Sequence, residues 1–89
     1  MTRHALKTWP HFFADVMAGR KPFEIRKNDR NYQEGDLLLL EEWMPDNESR
    51  DPRAGAYTGR KFEVLVTSVL RGPILGIEKG WCVMGVRAL

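Results

Sequence analysis

The chain has 89 residues, 43% hydrophobic and 29% charged, with a formal net charge of +2; this size and balance fit one domain and exclude two domains or a disordered chain. Its longest apolar run, Leu37 to Leu40, is far too short for a membrane-spanning helix, which needs roughly 20 residues. Cys82 is the only cysteine, which excludes an internal disulfide or a multi-cysteine metal site, and with no charged-then-apolar leader in view the expected setting is a reducing cytoplasm.

In chain order, His4 to Lys7 reads as a short opening strand. Pro10 suits the first turn of a helix, Phe12, Phe13, Val16 and Met17 recur at helical spacing on one face, and Gly19 supplies a C-terminal stop, so a helix is predicted from about Pro10 to Ala18. Phe23 to Lys27 alternates apolar and polar, the period of a half-buried strand. Asn28 to Asn31 and Glu34-Gly35-Asp36 are turns. Leu37 to Met44 opens on four leucines and predicts a strand covered on both faces. Pro45 to Gly59, rich in Asp, Asn, Ser, Pro and Gly, reads as a long mobile loop. Lys61 to Leu70 is a β-branched strand ended by Gly72-Pro73; Leu75 to Gly80 is a short loop or single helical turn; Trp81 to Leu89 is the closing strand. About five strands and one main helix predict a mostly β, α+β domain over residues 1–89, folded as a small, partly closed barrel that hides its sheet edges.

Charge is unevenly spread. Arg20 to Arg30 holds Arg20, Lys21, Arg26, Lys27 and Arg30 against Glu24 and Asp29, whereas Glu41 to Arg53 is acidic. A basic lobe suits an anionic partner such as RNA or a nucleotide. Within it, Glu24 and Arg26 lie two apart on a predicted strand and so share a side, with Lys21 just past the helix stop. An amine, a carboxylate and a guanidinium at one rim could hold a phosphate and accept a base N–H; a surface ion pair is the plain alternative. Asn28, Asp29 and Arg30 form a charged turn whose Arg30 and Asn28 could reach the same nucleotide. Tyr57 and Arg60, in Tyr57-Thr58-Gly59-Arg60, offer a stacking ring and a phosphate contact, unless Tyr57 merely anchors the loop. His4, with Lys7 and Trp9, and His11 read as packing or capping residues; Trp81 and Trp43 read as core or rim packing, an exposed Trp43 being the alternative stacking platform. Two histidines and one cysteine without regular spacing do not make a zinc site, and no cofactor motif is present.

The succession His4-x-Leu6-Lys7, Pro10-x-x-Phe13, Gly19-x-Lys21-x-x-Glu24-x-Arg26, Asn28-Asp29-Arg30, Gly35-Asp36 and Tyr57-Thr58-Gly59-Arg60 resembles the small bacterial and phage domains grouped with the ASCH domains of the PUA-like superfamily. The resemblance covers nearly the whole chain. It implies a PUA-like β-barrel with the helix packed against it and a cleft between helix end and barrel that binds RNA or a nucleotide, through Lys21, Glu24 and Arg26 with Asn28, Asp29 and Arg30 beside them. One ASCH-like branch comprises amidohydrolases acting on N4-acylated cytidine through a lysine, a threonine and a glutamate. Lys21 matches that lysine, but Glu24 stands at the threonine position, and only Gly72 to Gly80, with Glu78, replaces the insertion that carries the glutamate. Three functions therefore stand open: a non-enzymatic RNA- or nucleotide-binding module; a hydrolase on a modified nucleoside or RNA, with Lys21 and Glu24 as its catalytic residues; and a protein-interaction domain using the acidic 45–59 loop and Trp43.

Overall fold

The computed structural model describes residues 1–89. Its elements are β1 (Arg3–Thr8), α1 (Pro10–Met17), β2 (Phe23–Lys27), β3 (Leu37–Pro45), β4 (Gly55–Arg71) and β5 (Trp81–Ala88). The strands form one sheet in the order β1-β3-β4-β5-β2, curled into a half-barrel. Neighbours are antiparallel except β1 and β3, which run parallel; the long excursion through α1 and β2 provides the crossover that a parallel pair requires. α1 starts with Pro10 in its first turn and is stopped at Gly19, whose φ of +78° suits a residue without Cβ. Phe13 and Val16 carry it into the core, while Phe12 and Met17 stay on its exposed side, narrowing the predicted four-residue face.

The core is one cluster: Leu6 from β1, Phe13 and Val16 from α1, Tyr32 from the turn, and inward residues of β3, β4 and β5. β2 adds no apolar side chain to it. Its predicted alternation is present with the opposite sign: Phe23 and Ile25 are exposed, at 40% and 55%, and Glu24 is 3% exposed. A two-residue period fixes which residues share a face but not which face is inward, and pairing with β5 decides that.

Two other expectations are corrected. β3 is buried on one face and half-covered on the other, so the run of leucines does not mark a strand enclosed on both sides. The β3–β4 ladder also continues to Pro45 opposite Gly55, so the expected long loop shrinks to Asp46–Ala54 and Tyr57 to Arg60 lie within β4. Asp46 and Asp51 accept the backbone N–H groups of Glu48 and Arg53, and the Asp46 N–H donates to the Ala54 carbonyl, so the loop's acidic residues cap its own turns. An irregularity between Glu41 and Trp43 turns two successive residues inward, which leaves Glu42 and Trp43 both buried. Trp43 is therefore packing, as first read, and not an exposed platform.

β1 and β2 are the two edges of the sheet. Arg26 Nη1 donates to the Lys7 carbonyl at 3.0 Å and Arg30 Nη1 to the Ala5 carbonyl at 2.8 Å. On the other edge, Lys21 Nζ donates to the Phe23 carbonyl at 2.9 Å. Cationic side chains thus satisfy edge carbonyls that another strand would otherwise bond, drawing the open side together and blocking it against edge pairing.

His4 serves packing, as its sequence context suggests. Its Nε2 lies 2.9 Å from Asp36 Oδ2, its ring meets Tyr32 edge-on, and Asp36 also accepts the N–H groups of Gln33 and Thr2. Burial raises the Asp36 carboxyl's tendency to stay protonated, but those hydrogen bonds from His4, Gln33 and Thr2 outweigh it and hold the carboxyl below its ordinary 3.8. A depressed folded-state value contributes stability above the unfolded-state value and loses it as pH falls through the folded one. Stability should therefore decline below the ordinary carboxylate range, and Asp36→Asn should flatten that decline when unfolding is measured from about pH 5 down to about pH 2.

Candidate functional site

Between β1, the start of α1 and β2 lies a cleft of about 930 Å³, within the range of small-ligand sites. Glu24 sits at its floor. The Lys21 amine is 3.1 Å from Glu24 Oε1 and Arg26 Nε is 3.1 Å from Oε2. Arg26 Nη2 also donates to the buried Thr8 hydroxyl at 3.2 Å. The three residues read from the Gly-x-Lys-x-x-Glu-x-Arg motif therefore do gather at one opening. The surface-pair alternative fails because the carboxylate is buried. The consequence is chemical: both Glu24 oxygens already accept a charged donor, so Glu24 organises the floor and leaves Lys21 and Arg26 with N–H groups to spare.

The remaining expected residues divide. Asp29, Arg30 and Tyr57 line the cleft. Asn28 does not: its Oδ1 accepts the Tyr32 N–H at 3.1 Å, making it the cap of the turn that carries Asp29 and Arg30. Arg60 is also elsewhere, over the Phe13 ring and 3.7 Å from Glu42 Oε2, which shares Glu42 with the Thr58 hydroxyl. Thr58 and Arg60 thus meet Glu42 while Tyr57 meets the cleft, so the fold does not bring Tyr57 and Arg60 together at one opening. Glu78 is exposed and outside the cleft.

Sequence reading undervalued four lining residues. Trp9 and Phe12 form an exposed stacked pair, centroids 6.0 Å apart at 14°, with the Lys21 amine 5.5 Å from the Phe12 ring. Lys7 belongs to the opening strand's outward side, and its amine lies 4.7 Å from the Trp43 ring and 5.9 Å from the Tyr57 ring. Tyr32 comes from a polar stretch with no periodicity, yet it is 1% exposed and reaches the cleft. Burial pushes its phenol above the ordinary 10.0, against the opposing charge of Arg30, so it is a hydroxyl donor at neutral pH. The signal for Lys7 was its parity with the other exposed positions of β1, which Trp9 continues one residue beyond the strand.

Six cations line the cleft (Lys7, Arg20, Lys21, Arg26, Lys27, Arg30) against the carboxylates Asp15, Glu24 and Asp29. Arg20 pairs with Asp15, and Lys21 and Arg26 share Glu24. Lys7, Lys27 and Arg30 have no carboxylate partner; with the one charge left over where Lys21 and Arg26 share Glu24, and less that of the unpaired Asp29, they make up the surplus available to an anionic ligand. Burial pushes the Cys82 thiol above its ordinary 9.0, with no exposure to solvent, so it offers no nucleophile. No cluster of His, Cys, Asp or Glu is arranged to hold a metal ion, and no helix is long and apolar enough to cross a membrane.

A family model described as a domain of unknown function, DUF3850, matches residues 3–86. Over 66 residues the chain is 41% identical to an "uncharacterized 12.9 kDa protein in GpA 3'region" of Escherichia phage P2, covering 74% of this chain and 52% of that protein. The chain thus spans about half the length of the curated relative it matches.

Proposed function

The chain belongs to the DUF3850 family, and on that premise we propose that it is a non-enzymatic RNA- or nucleotide-binding module using the cleft between β1 and β2. One observation carries the reading: the cleft has three more cations than carboxylates, whereas the whole chain has a net charge of only +2. The rest of the surface is therefore slightly acidic, and an anion is drawn to this one concavity. Exposed Trp9, Phe12 and Tyr57 beside those charges supply the apolar rings that unpaired bases stack on. The curled sheet with one helix against it supports placing the fold among PUA-like barrels of the ASCH type, and the single free cysteine, Cys82, supports a reducing cytoplasm as its setting.

The non-enzymatic side of the reading is supported by the Lys21 amine and the Glu24 carboxylate being bonded to each other, with Glu24 also held by Arg26. The pairing gives Glu24 a structural part, holding two cationic side chains, that needs no catalytic role. The exposed position of Glu78 outside the cleft weighs the same way.

An NMR titration with single-stranded RNA and with free nucleotides tests it. Shifts should cluster on the amides of Lys7, Trp9 and Lys21 to Arg30, and affinity should fall as salt is added. Shifts confined to other parts of the sheet, or none with any nucleotide, would end the proposal.

A further inference from the structure

The row of groups along the cleft's β1 wall has a spacing that distinguishes one kind of nucleotide ligand from another. Lys7 and Trp9 are both outward positions of an extended segment: β1 alternates exposed and buried up to Thr8, and Trp9 keeps extended angles of −62° and 148°. Side chains two residues apart on such a segment leave on the same side about 6.6 Å apart. The Lys7 amine is 5.9 Å from the Tyr57 ring, Trp9 stacks on Phe12, and all four residues line the same cleft. Two rings, each a little over half exposed at 54% and 55%, therefore share the cleft with a cation that has no carboxylate partner.

We propose that the cleft takes single-stranded nucleic acid as a step of two consecutive nucleotides, with one base on Tyr57, the next on Trp9, and the phosphate that joins them at Lys7. This rests on the nucleotide-binding reading above and adds the ligand's length and strandedness. A lone nucleotide occupies one ring and leaves the other exposed. A duplex cannot present its base faces to either ring, because they are stacked inside the helix. Lys27 on β2 and Arg30, whose Nη1 reaches the Ala5 carbonyl of β1, are the other cleft cations without carboxylate partners, and the neighbouring phosphates of a longer strand would run past them.

Calorimetric titration of the full chain with adenosine monophosphate, the dinucleotide ApA, tetra-adenylate and a short RNA duplex decides the matter. ApA is expected to bind at least about fivefold more tightly than the monophosphate, since each base stacked on a ring contributes a factor of roughly five to a hundred or more. Trp9→Ala and Tyr57→Ala should each bring ApA back towards the monophosphate's affinity, while Trp9→Phe and Tyr57→Phe retain it. Lys7→Gln should weaken ApA and leave free adenosine unchanged. If the monophosphate and ApA bind equally, or the duplex binds as well as tetra-adenylate, the two-ring step is wrong and the cleft remains a simple anion or mononucleotide site. If none of the four binds, the nucleotide reading itself fails. Trp9 and Tyr57 are exposed, so a thermal melt of each variant should match the parent, and a variant that melts early is replaced by its leucine counterpart, bulky but without a stacking ring, with the dinucleotide-to-monophosphate ratio as readout.

Discussion

Glu24→Gln is expected to lower the unfolding free energy by about 3 kcal/mol and to abolish cleft binding along with it. The carboxylate is 3% exposed and holds the amine of Lys21 and the guanidinium of Arg26 at 3.1 Å each. Removing the charge leaves two cations facing a neutral amide in a half-buried setting, and breaking a buried pair from one side costs roughly 3–5 kcal/mol. The lower end applies because the Lys21 and Arg26 side chains keep 17% and 23% of their exposure. The effect spreads beyond the site: Arg26 also bonds the Lys7 carbonyl and the Thr8 hydroxyl, so releasing it loosens β1 from β2. Urea unfolding of the parent and variant measures the loss. Replacing all three together, Lys21→Met, Glu24→Leu and Arg26→Met, should recover most of the stability while binding stays absent, since an apolar cluster of similar volume carries no desolvation cost. A Glu24→Gln protein as stable as the parent would mean that the triad is not what holds the cleft's floor.

The second large effect concerns the charges that Glu24 does not neutralise. A protein carrying Lys7→Gln, Lys27→Gln and Arg30→Gln is expected to bind single-stranded RNA at least about a hundredfold more weakly, taking each lost charged contact at about 1.5 kcal/mol and allowing for incomplete additivity. Its logarithmic salt slope should also flatten by about 2, from three contacts at about 0.7 each on a single strand. The same triple replacement of surface cations away from the cleft, Arg50, Arg53 and Arg87, should change both quantities much less. Equal losses in the two proteins would show that net charge matters and the cleft does not. Arg30 also bonds the Ala5 carbonyl, so melting curves are needed beside the binding data, and Lys7→Gln with Lys27→Gln serves if the triple variant unfolds early.

Much of the fold was legible in local pattern. The helix began at Pro10 and was halted by Gly19, and the strands at 23–27, 61–70 and 81–89 followed from alternation and β-branched content. These are signals between residues a few positions apart, which the backbone's own geometry enforces. The Lys21, Glu24 and Arg26 grouping was legible for the same reason, because strand parity places Glu24 and Arg26 together and a helix stop places Lys21 near them. What failed was everything that depended on a partner distant in sequence. The hairpin extension to Pro45 and Gly55 needed the facing strand. The separation of Arg60 from Tyr57 came from the Glu42 pairing, and Asn28 turned out to serve Tyr32.

By itself, the sequence determined that this is a β-rich chain with one short helix and a basic segment from Arg20 to Arg30 that concentrates charged groups on a few turns. Only the tertiary structure decided which of those charges are available to a ligand. Buried Glu24 fixes Lys21 and Arg26 at the floor and offsets one of their two charges, Lys7, Lys27 and Arg30 stay without a carboxylate partner, and Trp9, Phe12 and Tyr32 join the walls. The physical reason is that alternation along a strand sets relative orientation only. The inward face, and with it the state of every charge on that strand, is chosen when β2 pairs with β5 and the two sheet edges close on each other through arginine.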